Sequence, residues 1–252
     1  MKKLKALLFD VDGTLADTED AHLAAFNHTF ADAGLNWFWS EELYLDLLVV
    51  TGGRERIKYY IEQYDPAFER PDDLDGFCKR LHQDKTEYFI RLLNEGGISL
   101  RPGVKRLILE ARADGMRLAI TTTTSLANVE ALLVNALDPE AMSWFEVVGA
   151  GDMVSAKKPA PDIYLFVLDK LGLSPDECIA LEDSENGIRS SIGAGLKTII
   201  TMNKFTRGHD YSGAAIVLDN MGEPDKPFTV LEGDAGGSGY LDMALVKRLH
   251  SN

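Results

Sequence analysis

Two aspartates separated by one residue, Asp10 and Asp12, directly follow a short apolar run near the start of the chain. Gly13 follows them, and a glycine turn would let both carboxylates approach a common site. Carboxylates so close together cannot both stay ionised without a nearby cation. Glu182 and Asp183 form a second acidic pair. An oxygen-only set of this kind suits Mg²⁺, which takes one or two carboxylates and completes its shell with water and phosphate oxygens.

Two further groups supply what a phosphate would need. Lys158 offers a positive charge, and one of four consecutive threonines, residues 121–124, offers a hydroxyl for a phosphoryl oxygen. Phosphoryl transfer depends mainly on positioning and charge neutralisation, and this set of groups supplies both. Each group alone also has an ordinary explanation, because Asp-Gly forms turns, threonine favours strands and Asp-Ser caps helices. Their joint occurrence points to a site.

The apolar pattern places each of these groups at or just after the end of a predicted strand. A nearly continuous apolar run over residues 4–9 predicts a strand that is buried on both faces. Further strands are predicted over 117–122, 145–149, 178–181 and 197–202, with helices between them, of which one is predicted over 127–137. This alternation predicts an α/β fold, a doubly wound and mostly parallel sheet with right-handed crossovers. Ligands of such sheets gather beyond the carboxyl ends of the strands.

A helical block separates the first strand from the rest of the sheet. Apolar residues at helical spacing continue through this block, and it contains no convincing strand. We therefore expect a discontinuous α/β core of residues 1–16 and 98–252, with a helical insert of residues 17–97. One more strand over 215–218 and a terminal helix over 241–249 are expected at the end of the core.

Charge and composition exclude several classes of partner. The formal net charge is −14 over 252 residues, which would repel nucleic acid and anionic membranes at long range. The sequence has no Gly-Lys-Ser/Thr loop for a nucleotide and no apolar stretch long enough to span a bilayer. Cys78 and Cys178 match no metal-binding or redox spacing, so we expect buried thiols. These features predict a cytoplasmic protein whose partner is a small molecule. They do not determine the oligomeric state, for which a monomer is our expectation.

In their types and order, these motifs resemble those of the haloacid dehalogenase superfamily. Its phosphatases carry Asp-x-Asp-Gly-Thr, a strand-end threonine or serine, a lysine and a final acidic pair. In this chain the four motifs are Asp10-Val11-Asp12-Gly13-Thr14, Thr122, Lys158 in Lys-Pro-Ala-Pro-Asp, and Leu181-Glu182-Asp183-Ser184. The resemblance covers nearly the whole chain except its C-terminal segment. It implies that the helical insert is a cap domain.

The resemblance also implies a role for each residue of the motifs. Asp10 is expected to be the nucleophile that forms an aspartyl-phosphate, with Asp12 as general acid and then base. Lys158 is expected to neutralise charge on the phosphate. Thr122 is the preferred phosphate ligand among the four threonines. The implied Mg²⁺ ligands are Asp10, the backbone carbonyl of Asp12, Asp183, and Glu182 directly or through water.

A narrower resemblance concerns the substrate. Residues 17–22, 36–39, 51–57, 122–126 and 151–154 are similar to the CbbY-like phosphatases associated with Rubisco. Those enzymes hydrolyse xylulose-1,5-bisphosphate, a misfire product that inhibits Rubisco. A bisphosphate needs a second anion site, and two glycines before a helix beside an arginine form a plausible one. The implied substrate-binding residues are Glu19, His22, Gly52, Gly53, Arg54, Arg56, Lys85 and Thr123.

Three other classes of protein share part of this pattern. A sugar phosphomutase such as beta-phosphoglucomutase carries the same core motifs and cap, but returns the phosphoryl group to a sugar. A non-catalytic phospho-accepting switch would use Asp10 but would have no reason for the cap or for Asp12 as an acid. A dehalogenase needs neither Mg²⁺ nor a second acid, so Asp12 and Asp183 argue against it.

Overall fold

The structure, a computed structural model, describes residues 2–252, and in this range the chain forms one sheet of seven strands. The strands are β1 (Ala6–Phe9), β2 (Arg117–Thr121), β3 (Val147–Gly149), β4 (Cys178–Glu182), β5 (Lys197–Thr201), β6 (Ile216–Leu218) and β7 (Val230–Glu232). Their order is β3-β2-β1-β4-β5-β6-β7, and only the last pairing is antiparallel. The predicted doubly wound, mostly parallel α/β fold is confirmed.

The centre of the sheet is the strand that precedes the first acidic motif. Every residue of β1 is buried, and the strand lies between β2 on one side and β4 on the other. The last residue of β1, Phe9, lies opposite both Ile120 and Leu181. The segments that follow these three strands therefore leave the sheet at the same edge, where ligands of parallel sheets bind.

The chain divides into two compact units, and each boundary falls one residue later than the sequence indicated. One unit comprises the chain up to Asp17 together with Ser99–Asn252, and the other is Thr18–Ile98. The first, the sheet unit, contains the sheet with α5 (Val104–Ala113), α6 (Leu126–Leu132), α7 (Asp162–Leu171), α8 (Glu185–Gly193) and α9 (Met243–Ser251). The second, the helical unit, contains α1 (Glu19–Asp32), α2 (Glu41–Leu47), α3 (Gly53–Gln63) and α4 (Leu74–Asn94).

The core of the helical unit is aromatic. Trp37 and Trp39 are buried, whereas Phe38 between them is 74% exposed, as an extended segment with one buried face requires. The Phe26 ring of α1 packs on Trp39 with ring centroids 4.7 Å apart. The Asn27 side chain donates to the Trp39 carbonyl and accepts from its N–H, at 2.8 and 2.7 Å. These contacts fix the segment before α2 against α1.

Two elements differ from the sequence predictions. The helix predicted to run to residue 137 ends at Leu132, and the chain continues as a π-helical turn over Leu133–Leu137. Strand β7 was not predicted, because its three residues are exposed and show no alternation of apolar and polar side chains. Cys78 and Cys178 are both free and buried, as expected. Within residues 2–252, no helix combines the length and the apolar character needed to cross a membrane.

Candidate active site

A buried lysine lies between two carboxylates at the carboxyl edge of the sheet. The Nζ of Lys158 donates to Asp10 Oδ1 at 2.8 Å and to Glu182 Oε1 at 2.5 Å. The Tyr164 hydroxyl donates to the same Glu182 oxygen at 2.5 Å. Lys158 is 5% exposed, Asp10 6% and Glu182 0%. Buried charges require such pairing, because leaving one of them alone would cost several kcal/mol, about 3–5.

The two acidic motifs converge at this point. Asp10, Glu182 and Asp183 each place one carboxylate oxygen within 4.8 Å of the other two. Glu182 Oε2 is buried and makes no hydrogen bond in the part of the chain that the structure describes. Three carboxylates converge here, and one of them has a buried oxygen that accepts no hydrogen bond from the described residues. Such a set of oxygen donors suits a hard divalent cation. The residues therefore fit a metal of the Mg²⁺ type.

Burial and neighbouring charge change the proton affinities of this cluster. Burial raises the pKa of Asp10 from 3.8 to about 7, and the carboxylates of Glu182 and Asp12 add to the rise while Lys158 opposes it. Burial by itself would lower the pKa of Lys158, but the two carboxylates beside it outweigh burial and raise that pKa above its ordinary value. Lys158 therefore stays charged, and Asp10 needs a further cation to be fully ionised near neutral pH.

The turn after β1 brings the first motif close to the second. Gly13 has a φ of 79°, and a Cβ at this position would collide with the Asp183 carboxylate. A glycine is required here for both reasons. Thr14 Oγ1 donates to Asp10 Oδ2 at 3.3 Å and steadies that carboxylate. Asp12 is half-buried, and its backbone forms an isolated bridge with Ala16.

The threonine segment leaves the same edge of the sheet. Strand β2 ends at Thr121, so Thr122 is the first residue after the strand and not its last residue as the sequence suggested. Thr122 is buried, and its N–H donates to the Gly149 carbonyl at 2.9 Å. Its Oγ1 accepts from the Thr124 N–H at 3.3 Å. Thr123 is half-buried.

In the helical unit, two of the expected substrate-binding residues form a buried pair. Lys85 Nζ lies 2.6 Å from His22 Nδ1, and both residues are buried. An ammonium group only donates, so Nδ1 accepts and the other ring nitrogen of His22 carries the proton. Lys85 Nζ also lies 5.0 Å from the Phe26 ring centroid and 4.9 Å from that of Phe89. The pair is therefore held in a fixed position between aromatic rings.

The glycines before α3 bring its first turn close to α4. Gly52 has a φ of 97° and precedes α3, and Gly53 begins that helix. A Cβ at Gly53 would collide with the His82 ring, so no larger residue fits without a shift. The next residue, Arg54, has a side chain that is 41% exposed and donates to Glu55 Oε1 at 3.0 Å.

Arg56 differs from Arg54 because its guanidinium is buried within the helical unit. It donates to the carbonyls of Leu47 and Val50, both at 3.2 Å, and to the Tyr44 hydroxyl at 3.0 Å. That hydroxyl in turn donates to Glu19 Oε2 at 2.6 Å. Arg56 therefore holds the turn between α2 and α3, and Arg54 is the more accessible of the two cations.

Three residues of this region were not singled out by the sequence. Asn203 donates to Asp183, Tyr164 donates to Glu182, and Arg101 donates to the Gly13 carbonyl. Asn203 comes shortly after β5, so the rule that polar residues gather beyond strand ends would have found it. Tyr164 follows the apolar spacing of its helix, so the sequence does not distinguish it from a residue of the core. The role of Arg101 depends on contacts with distant segments.

The chain combines a doubly wound sheet, an inserted helical unit, and an Asp-x-Asp-Gly-Thr loop beside a buried lysine and an acidic pair. Together these features define a class of phosphatase. The model of the haloacid dehalogenase-like hydrolase family matches residues 7–201, and the chain belongs to this family. Enzymes of this superfamily generally use a divalent metal, and the cluster of Asp10, Glu182 and Asp183 agrees with that.

Similar proteins narrow the class further. Protein CbbY of Cereibacter sphaeroides is 48% identical over 87% of this chain and 94% of its own length. A crystal structure of CbbY from Rhodobacter sphaeroides in complex with phosphate matches with a TM-score of 0.79 and 48% identity, covering 86% of this chain and 94% of the other. A mutant of that protein in complex with xylulose-(1,5)bisphosphate matches with a TM-score of 0.80 and 46% identity over the same shares. This chain is a phosphatase of the CbbY-like group.

Proposed function

We propose that this phosphatase depends on Mg²⁺ and hydrolyses xylulose-1,5-bisphosphate through a phosphoryl group carried on Asp10, which removes an inhibitor of Rubisco. The observation that carries the chemistry is the Lys158 ammonium group, which holds Asp10 beside the acidic pair at the carboxyl edge of the sheet. The substrate is supported by the similarity to the CbbY structure in complex with that bisphosphate.

The first half of the reaction follows from the positions of Asp10 and Lys158. An Asp10 carboxylate oxygen attacks phosphorus, and the bond from phosphorus to the sugar oxygen breaks. Asp12 gives a proton to the departing alkoxide. Lys158 offsets the negative charge on the phosphoryl oxygens, and the Thr122 hydroxyl donates to one of them. Asp10, the backbone carbonyl of Asp12, Asp183, and Glu182 directly or through water would hold a bound Mg²⁺, which would neutralise charge on the phosphate and on Asp10.

The second half returns Asp10 to its starting state. Asp12, now a carboxylate, takes a proton from water, and the water oxygen attacks phosphorus. The bond between phosphorus and the Asp10 oxygen breaks and inorganic phosphate leaves. Burial of Asp10 and Lys158 keeps their interaction strong throughout, because bulk water does not screen it.

We assign substrate selectivity to the helical unit. The second phosphate of a bisphosphate needs its own cation and N–H donors. Arg54, together with the backbone N–H groups after Gly52 and Gly53, supplies both at the first turn of α3. Lys85 and His22 form the second polar group proposed to meet the substrate, and Glu19 is proposed to accept from sugar hydroxyls. Arg56 contributes by holding the α2–α3 turn.

Phosphate release from four compounds tests this function, each with Mg²⁺ and with EDTA: xylulose-1,5-bisphosphate, ribulose-1,5-bisphosphate, beta-glucose-1-phosphate and an aryl phosphate. We expect Mg²⁺-dependent release with a strong preference for xylulose-1,5-bisphosphate. Isomerisation of beta-glucose-1-phosphate without phosphate release would instead make the protein a phosphomutase. Equally weak hydrolysis of all four compounds would agree with the proposed phosphatase chemistry but would rule out xylulose-1,5-bisphosphate as the preferred substrate.

A further inference from the structure

The loop after β5, residues 203–211, forms hydrogen bonds with the second acidic motif, although it lies outside that motif in the sequence. Asn203 Nδ2 donates to Asp183 Oδ2 at 2.8 Å, and the Tyr211 hydroxyl donates to the Asp183 carbonyl at 2.8 Å. The Glu185 N–H donates to His209 Nδ1 at 3.2 Å. One loop thus contacts the side chain of Asp183, its backbone and the start of the helix that follows it.

The orientation of the Asn203 amide is fixed within this loop. Its Oδ1 accepts from the Phe205 N–H at 2.8 Å, and its own backbone N–H donates to Thr206 Oγ1 at 3.0 Å. Because an amide has one acceptor atom and one donor atom, accepting on Oδ1 directs Nδ2 towards Asp183. Nδ2 also lies 3.4 Å from the Gly13 carbonyl, so the same group touches both acidic motifs.

An uncharged donor suits a carboxylate that must also bind a cation. A hydrogen bond from Nδ2 fixes the rotation of the Asp183 carboxylate and offsets part of its charge. A lysine or arginine at this position would neutralise the carboxylate and compete with a metal for it. Partners of this kind around metal ligands typically change metal affinity by about 10–100-fold when they are removed.

We propose that Asn203 is a positioning residue of the metal centre, which holds the Asp183 carboxylate in the orientation that binds the cation. This inference rests on the Mg²⁺ site of the proposed function. It goes beyond that function by assigning a role to a residue that lies outside all four motifs.

Two substitutions separate positioning from simple support of the loop. In Asn203→Ser, the hydroxyl can still accept from the Phe205 N–H and keep the turn, but it is too short to reach Asp183. In Asn203→Ala, both interactions are lost. Asn135→Ser is the control, because Asn135 is exposed and its side chain donates to the Ala131 carbonyl, away from the sheet edge.

The readout is the apparent Kd for Mg²⁺ without substrate, from the Mg²⁺-dependent rise in unfolding temperature. We expect N203S and N203A to weaken Mg²⁺ binding equally, by about 10-fold or more, with N135S unchanged. We also expect the Mg²⁺ concentration for half-maximal activity to rise in parallel, and kcat at saturating Mg²⁺ to recover.

Two results would overturn the inference. Wild-type affinity in N203S, whether or not N203A is weakened, would show that Asn203 only supports the turn. A wild-type protein whose unfolding temperature does not respond to Mg²⁺ would overturn the proposed metal itself and the inference with it. The wild-type titration therefore distinguishes a failure of the inference from a failure of the proposed function.

Discussion

At the scale of single residues, the proposed chemistry depends on Lys158, which lies between two buried carboxylates. Lys158 holds Asp10 in place, and its bond to Glu182 is supported by the Tyr164 hydroxyl. The phosphoryl group would add further negative charge at this point. In the proposed mechanism, a cation fixed by two acidic partners is in position before the substrate arrives, which would lower the cost of reorganisation during the reaction.

Replacing Asp10 with Asn tests the nucleophile. The amide has nearly the same shape but is a far weaker nucleophile, so we expect kcat to fall at least about 10⁴-fold. The variant should keep its fold, because Lys158 retains its bond to Glu182. The measurements are phosphate release and a thermal melt. A D10N protein with more than a tenth of wild-type turnover would rule out Asp10 as the nucleophile.

The raised pKa of Asp10 predicts how stability depends on pH. The folded-state pKa of about 7 exceeds the ordinary value of 3.8, so between these values the folded metal-free protein holds a proton that the unfolded chain has lost. The free energy of unfolding in EDTA should therefore fall as pH rises from about 4 to 7. Stabilisation by Mg²⁺ should grow over the same interval, because the metal binds the ionised form.

Asp10→Asn is also the control for this pH effect. Urea titrations of both proteins at several pH values give the difference between their free energies of unfolding. As pH rises from about 4 to 7, the free energy of unfolding of the wild type should fall relative to that of Asp10→Asn, because only the wild type carries the ionising group. A difference that does not change with pH would contradict the raised pKa.

At the scale of elements, Arg101 ties several strand ends of the sheet unit together. It is buried, and its guanidinium donates to the backbone carbonyls of Gly13, Thr201, Met202 and Asp219. Its Nε also lies 3.2 Å from a carboxylate oxygen of Asp17, the last residue before the helical unit begins. Arg101 thus connects the turn of the first acidic motif to the ends of β5 and β6.

We expect Arg101→Met to lower the free energy of unfolding by at least about 3 kcal/mol, because several buried carbonyls lose their donor. Arg112→Met is the matched control. Arg112 is exposed and stacks over Trp144, 3.9 Å from the ring centroid, a contact worth about 1 kcal/mol or less. Urea denaturation of both variants measures the difference. Equal losses would show that the carbonyl contacts of Arg101 add nothing to stability.

The sequence predicts some helices and strands of the fold better than others. The buried strands were recognised because a strand covered on both faces is a continuous apolar run, as in residues 6–9 and 178–181. Strand β7 (Val230–Glu232) was missed because its residues are exposed and backbone pairing with β6 defines it. The end of α6 at Leu132 was missed because the apolar spacing continues through the π-helical turn.

The same contrast holds for the candidate site. Asp10 and Asp183 could be placed because each carries a charge at the end of an apolar run. Asn203 has no charge to mark it, and its importance follows from a hydrogen bond to a residue 20 positions away. Arg101 gains its role from carbonyls up to 118 positions away, which no local pattern encodes.

At the scale of the whole molecule, each unit contains one buried free thiol. Cys78 lies in the helical unit and Cys178 in the sheet unit. Burial raises the pKa of the Cys178 thiol to about 12, and it also raises the pKa of Cys78. Neither thiol should react with a thiol reagent until its surroundings open.

Labelling of the two thiols under native conditions therefore compares the stability of the units. We expect Cys78 to react faster than Cys178, because the smaller unit buries less apolar surface and opens more often. Cys78→Ala and Cys178→Ala variants assign the two phases, which mass spectrometry resolves. Equal rates would mean that both thiols become accessible only in global unfolding.

The preference between two bisphosphates tests the central claim most directly. The measurement is kcat/KM with Mg²⁺ for xylulose-1,5-bisphosphate and for ribulose-1,5-bisphosphate, with EDTA controls. We predict a ratio of at least about 100 in favour of xylulose-1,5-bisphosphate, since an unmatched hydroxyl in a polar site produces discrimination of that size. We also predict loss of both activities in EDTA. A ratio near one, or turnover that is unchanged in EDTA, would contradict the proposal.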